Sequence, residues 1–94
     1  MKTNIAIIGS GNIGTDLYYK AQRSEYLNPK WMVGIDADSD GLRRAKECGC
    51  EVTADGIEGL VPHLKQAEIK IAFDATSASA HEVHAEKLAA QGVL

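Results

Sequence analysis

Asn4-Ile5-Ala6-Ile7-Ile8-Gly9-Ser10-Gly11-Asn12-Ile13-Gly14 decides the fold of this chain. The run from Ile5 to Ile8 is short and almost wholly apolar, the habit of a strand covered on both faces in a parallel sheet. Gly9-x-Gly11-x-x-Gly14 follows at once, and Ile13, Leu17 and Ala21 then recur at helical spacing. Short glycine patterns arise by chance, but here one follows a buried strand and opens a helix. In that setting each glycine has its own task. Gly9 permits the tight turn, Gly11 lets the backbone come close to a pyrophosphate, and Gly14 lets the helix pack on the strand. The helix start adds free N–H groups and a positive dipole for the phosphates. Gly9, Ser10, Gly11, Asn12, Ile13 and Gly14 are therefore the candidate dinucleotide-binding loop.

Moving outward, the first helix is expected to fade between Glu25 and Asn28, with Pro29 marking the connection. Trp31-Met32-Val33-Gly34-Ile35 reads as a second buried strand ending at Asp36. Asp38, Ser39 and Asp40 offer cap oxygens for a second helix through Leu42 and Ala45, stopped near Gly49. Glu51-Val52-Thr53 predicts a short third strand. Asp55 to Gln66 carries a weaker helical signal, with Pro62 awkward inside it. Ile69 to Phe73 predicts a fourth strand ending at Asp74, and Thr76, Ser77 and Ser79 can cap a last helix that stops at Gly92. This alternation predicts an α/β fold: a Rossmann-like, doubly wound parallel sheet with right-handed crossovers. Val93 and Leu94 read as the start of a further strand, so residues 1–94 are expected to be one partial dinucleotide-binding domain, truncated before its later strands.

Asp36 falls about 20 residues after the last glycine, the offset at which an acid accepts hydrogen bonds from the adenosine ribose. Its charge also repels a 2′-phosphate. Arg43 and Arg44 would suit NADP instead, but Asp36, Asp38 and Asp40 crowd the same corner and no arginine directly follows the strand. The expected cofactor is NAD. Ala75, Thr76 and Ser77, at the carboxyl end of the fourth strand, are small enough to let ribose and nicotinamide pass close to the backbone. Thr76 and Ser77 can cap the next helix as well.

Composition excludes other classes. The chain has 94 residues, 45% hydrophobic and 24% charged, which is ordinary for one small globular domain. Its net charge of −3 offers no footprint for nucleic acid or an anionic membrane. No apolar run reaches the roughly 18–20 residues of a membrane span, and the expected location is cytoplasmic. Cys48 and Cys50 are too close in sequence to close a useful loop and are read as free thiols. His81 and His84 lack the HExxH pattern and a third ligand, so no metal site is expected. No nucleophile paired with a base is evident, so no catalytic residue is assigned.

Ala6 to Leu17 resembles the N-terminus of the acylating acetaldehyde dehydrogenases. Met32-Val33-Gly34-Ile35-Asp36 with Ser39-Asp40-Gly41-Leu42 is similar to the same family, as is Phe73 to Ala78 followed by Ala80-His81. The resemblance implies NAD(H) binding in an enzyme that converts acetaldehyde, CoA and NAD+ to acetyl-CoA and NADH. It implies 4-hydroxy-2-oxovalerate aldolase as a partner of the parent protein, in aromatic hydrocarbon catabolism. Ser10 to Ile13 match the family's pyrophosphate loop. The family's nucleophilic cysteine lies beyond the segment that Leu94 closes, so the resemblance gives this chain no catalytic cysteine. The family commonly has proline where this chain has Ala37, and the region from Ser79 to His84 departs from its pattern. A non-catalytic NAD-binding or assembly module is the alternative. Aspartate-semialdehyde and homoserine dehydrogenases share the loop but account less well for Asp74 to Ala78.

Overall fold

The computed structural model describes residues 2–75 and Leu88. Four parallel strands form one sheet: β1 (Thr3–Ile8), β2 (Leu27–Val33), β3 (Glu51–Thr53) and β4 (Ile71–Asp74), in the order β3-β2-β1-β4. Helices α1 (Asn12–Gln22) and α2 (Asp40–Glu47) connect the first three strands. A short α3 (Ile57–Leu60) and a 3₁₀ turn (Val61–His63) precede β4. From β1 the chain moves outward through β2 to β3, then returns to the other side of β1 as β4. The order reverses between β1 and β4, the switch point of a doubly wound α/β sheet. The expected Rossmann-like α/β class is what the described residues form.

Strand periodicity divides the core in two. Ile5, Ile7 and Met32 face one way and pack with Tyr18 and Ala21 of α1 and Leu42 and Ala45 of α2. Ala6, Ile8, Trp31 and Val33 face the other way, against Ile57, Leu60, Leu64, Ile69 and Leu88. Because both faces are covered, Ile5 to Ile8 are all buried, which is why β1 reads as an unbroken apolar run. Each large aliphatic side chain buried in this way contributes about 1.5–3 kcal/mol.

Four elements differ from expectation. α1 ends at Gln22, ahead of the expected Glu25 to Asn28, and Leu27 and Asn28 already belong to β2. β2 starts at Leu27 and ends at Val33, so it contains Pro29 and excludes Gly34, Ile35 and Asp36. Pro29 lies opposite Ile5 at a register shift between Ile5 and Ala6, and β3 pairs only with Trp31 to Val33. No ladder hydrogen bond on that side is lost to the missing N–H. The weak signal from Asp55 to Gln66 resolves into α3 and the 3₁₀ turn, with Pro62 in the first positions of that turn. β4 begins at Ile71 rather than Ile69, although Lys70 N–H already donates to the Asn4 carbonyl at 3.0 Å. Glu51–Thr53 and the end of α2 before Gly49 (φ 90°) are as read. The predicted last helix lies outside the described residues apart from Leu88, which is helical and buried.

Candidate functional site

All four strands point the same way, so their carboxyl ends share one edge of the sheet. Gly9 and Ala75 lie side by side there, directly after the Ile8–Asp74 pair. Gly9 N–H donates to the Val33 carbonyl (2.7 Å), and Ala75 N–H donates to the Ile8 carbonyl (2.8 Å). These two bonds hold the loops after β1 and β4 at the switch point. Gly9 has φ 115°, a conformation open to glycine and strained for residues with a β-carbon.

The other two glycines of the motif differ sharply. A β-carbon on Gly14 would overlap the carbonyl oxygen of Gly9, so α1 packs on the turn backbone itself. A β-carbon on Gly11 would meet nothing within 4 Å. Gly11 is thus the open side of the loop, where an extended phosphate group can approach. Thr15 N–H makes the first helical bond to the Gly11 carbonyl (2.9 Å), leaving the earlier N–H groups of α1 without helical partners. Asn12 is the first residue of α1, and Ile13 beside it is 69% exposed.

Asp36 lies past the strand end rather than on it. Gly34 N–H donates to the Thr53 carbonyl, and the Gly34 carbonyl accepts from Gly56 N–H, both at 2.9 Å. The chain at Gly34 therefore still follows β3 but has parted from β1, whose continuation has turned into the glycine loop. Ile35 is 89% exposed as a result. The exposed Asp36 accepts a hydrogen bond from Asp38 N–H at Oδ1 (2.9 Å). Arg43 is engaged by Asp40 (2.8 Å), and Arg44 reaches the Tyr19 hydroxyl at 3.5 Å. A cavity of about 700 Å³ opens between the glycine loop and α2, lined by Ser10, Gly11, Thr15, Asp38, Ser39 and Arg44 among others. Asp36 does not line it.

The structure brings Gly9, Ser10, Gly11, Gly14 and Ala75 together and sets Asp36 at the neighbouring strand end. Thr76 and Ser77 lie outside the described residues, as do His81 and His84. Among the described residues no three His, Cys, Asp or Glu side chains form a metal-binding group, and no helix is long and apolar enough to cross a membrane. Cys48 and Cys50 precede β3 and so lie at the amino-terminal edge, away from the glycine loop. Cys48 is exposed, whereas Cys50 is buried and its thiol is pushed up to about 12 by burial and the nearby Glu51.

Sequence reasoning missed Gly34 and Gly41. A β-carbon on Gly34 would overlap the Ser10 hydroxyl, and one on Gly41 would overlap the Ser10 carbonyl oxygen. The one signal in the chain is that both glycines flank the acidic corner, and nothing local to either shows that the partner is Ser10.

No family model matches the chain. It is 63% identical over 93 residues to an acetaldehyde dehydrogenase of Pseudoalteromonas translucida, covering 99% of this chain and 31% of that protein. Acetaldehyde dehydrogenases of Shewanella pealeana (61% identity, 99% and 30% covered) and Cupriavidus taiwanensis (58%, 98% and 31%) are similar to it in the same way. The chain thus spans about a third of the length of the curated relatives it matches. Over almost all of its residues, this chain corresponds to the N-terminal part of proteins named acetaldehyde dehydrogenase.

Proposed function

We propose that residues 1–94 form the NAD(H)-binding portion of an acylating acetaldehyde dehydrogenase, which converts acetaldehyde, CoA and NAD+ to acetyl-CoA, NADH and a proton. The observation that carries this reading is the glycine loop at the switch point, with Gly11 facing open space where Gly9 and Gly14 are packed. The loop N–H groups and the start of α1 would hold the pyrophosphate, and Asp36 would accept hydrogen bonds from the adenosine ribose. Ala75, with Thr76 and Ser77 after it, would border the nicotinamide end. When bound, the nicotinamide supplies the hydride acceptor.

Arg43 pairs with Asp40 at the surface, and the exposed Asp36 carboxylate would repel a 2′-phosphate. That charge arrangement supports NAD over NADP. The thiolate that adds to the aldehyde comes in this reading from outside these residues, since Cys50 is buried and protonated at neutral pH and both cysteines precede β3. Assembly of the parent enzyme with 4-hydroxy-2-oxovalerate aldolase is part of the same proposal. Calorimetric titration of the full chain with NADH and NADPH tests the cofactor assignment. Tighter NADH binding is expected; equal or tighter NADPH binding overturns the assignment, and binding of neither overturns the reading as a whole.

A further inference from the structure

We infer that Ser39 is a positioning residue for the dinucleotide loop, acting through the Ser10 hydroxyl; this rests on the NAD(H)-binding reading above. Ser39 stands at the N-cap of α2 with extended backbone (φ −65°, ψ 142°), yet its side chain makes no capping hydrogen bond. A serine there ordinarily turns its oxygen to the free N–H groups of the first turn. Instead, Ser39 Oγ donates to Ser10 Oγ at 2.9 Å, joining two loops 29 residues apart in sequence. The helix forgoes its cap to make a tertiary bond.

Ser10 is built to receive that bond. Its hydroxyl sits over Gly34 and its carbonyl over Gly41, and a β-carbon on either glycine would overlap it. Thr15 Oγ1 also donates to the Ser10 carbonyl, at 3.4 Å. Both polar groups of Ser10 are therefore turned toward α1 and α2. Ser10 anchors the loop in this arrangement, and its neighbour Gly11 faces the open side.

The hydrogen bonds continue to the acidic corner. Ser39 follows Asp38, whose N–H is held by Asp36 Oδ1 at 2.9 Å. Gly11, Ser10, Ser39, Asp38 and Asp36 thus form one connected path from the phosphate loop to the residue assigned to the ribose. The Ser10–Ser39 pair sets the distance between the phosphate loop and the acid assigned to the adenosine ribose before any ligand arrives. Losing it leaves that ordering to be completed on binding, at the expense of affinity.

The test is a double-mutant cycle on the full chain with Ser10→Ala, Ser39→Ala and the pair. NADH and NADPH affinities are read by calorimetry, and melting temperatures are read alongside. Each single variant is expected to weaken NADH binding about fivefold, the worth of one ordinary hydrogen bond. The double variant should be no weaker than either single one, because both remove the same link. Ser39→Thr keeps the hydroxyl and should restore affinity. Backbone amide signals of Gly11 should move in Ser39→Ala, far from the substituted residue in sequence. Unchanged NADH affinity in Ser39→Ala, or losses that multiply in the double variant, overturns the inference while the NAD(H) reading stands. A melting change without an affinity change shows a purely structural role and overturns it too. A parent chain that binds neither dinucleotide overturns both.

Discussion

The carbonyl oxygen of Gly9 stands so close to Gly14 that a β-carbon on Gly14 would overlap it. This contact joins the turn after β1 to the first turn of α1 without any side chain between them. It makes Gly14 a packing residue and leaves Gly11 on the open side of the loop.

Gly14→Ala should therefore lower stability by about 1–3 kcal/mol, the usual cost of overpacking. Gly11→Ala should leave the midpoint of chemical denaturation nearly unchanged, since its β-carbon meets nothing within 4 Å. The order reverses for ligand: Gly11→Val should abolish NADH binding by filling the approach. Denaturation midpoints and calorimetry on the three variants check both halves, and similar stability losses for Gly14→Ala and Gly11→Ala would show that the loop is packed differently.

Asp36→Ala should narrow the gap between NADH and NADPH affinity. The carboxylate is exposed and accepts a hydrogen bond from Asp38 N–H, and its removal would take away the repulsion of a 2′-phosphate along with the proposed ribose hydrogen bonds. Titration with both cofactors reads this directly. An unchanged ratio would mean that Asp38 or Asp40 sets the preference.

Leu60→Ala should cost about 2–5 kcal/mol, because Leu60 is fully buried beside Ile57 and Leu64 and truncation leaves a cavity. Val61→Ala, half-buried at the rim of the same cluster, should cost less. Thermal or urea denaturation separates the two.

Stability should fall as pH rises from about 9 toward 12. The Cys50 thiol is raised from 9.0 to about 12 in the folded chain, chiefly by burial. Across that window the unfolded chain has released the proton while the folded chain still holds it. Fewer protons bound when unfolded makes stability decline with pH. Tyr18, also raised by burial, adds to the decline above its ordinary value of 10.0. Cys50→Ala should flatten the lower part of the profile in urea titrations run at stepped pH. A slope equal to the parent's would show that Cys50 does not carry it.

A polypeptide of these 94 residues, supplied with acetaldehyde, CoA and NAD+, should form no NADH. Its two cysteines precede β3 at the amino-terminal edge of a parallel sheet, away from the Gly9 and Ala75 loops. Absorbance at the NADH band reads the outcome. CoA-dependent turnover that disappears on replacing Cys48 and Cys50 with serine would make one of them the nucleophile.

Most of the fold was legible because its signals are local. The apolar run Ile5 to Ile8 needs two covered faces, the Gly9-x-Gly11-x-x-Gly14 spacing needs a turn into a helix, and Gly49 ends α2 through its own backbone freedom. The elements that were misread depend on neighbours. Pro29 is tolerated inside β2 because β3 is too short to pair with it, and β2 stops at Val33 because β1 has already turned away. No periodicity within 27–36 carries that information. The same holds for the site: the chain by itself determined which residues make a glycine loop and which acid closes the second apolar run. Only the tertiary structure decided that Gly14 rests on Gly9, that Gly11 stays open, and that Ser39 gives up its helix cap to hold Ser10. Those relationships join atoms distant in sequence, and they arise only when two parallel strands bring their carboxyl ends to the same edge.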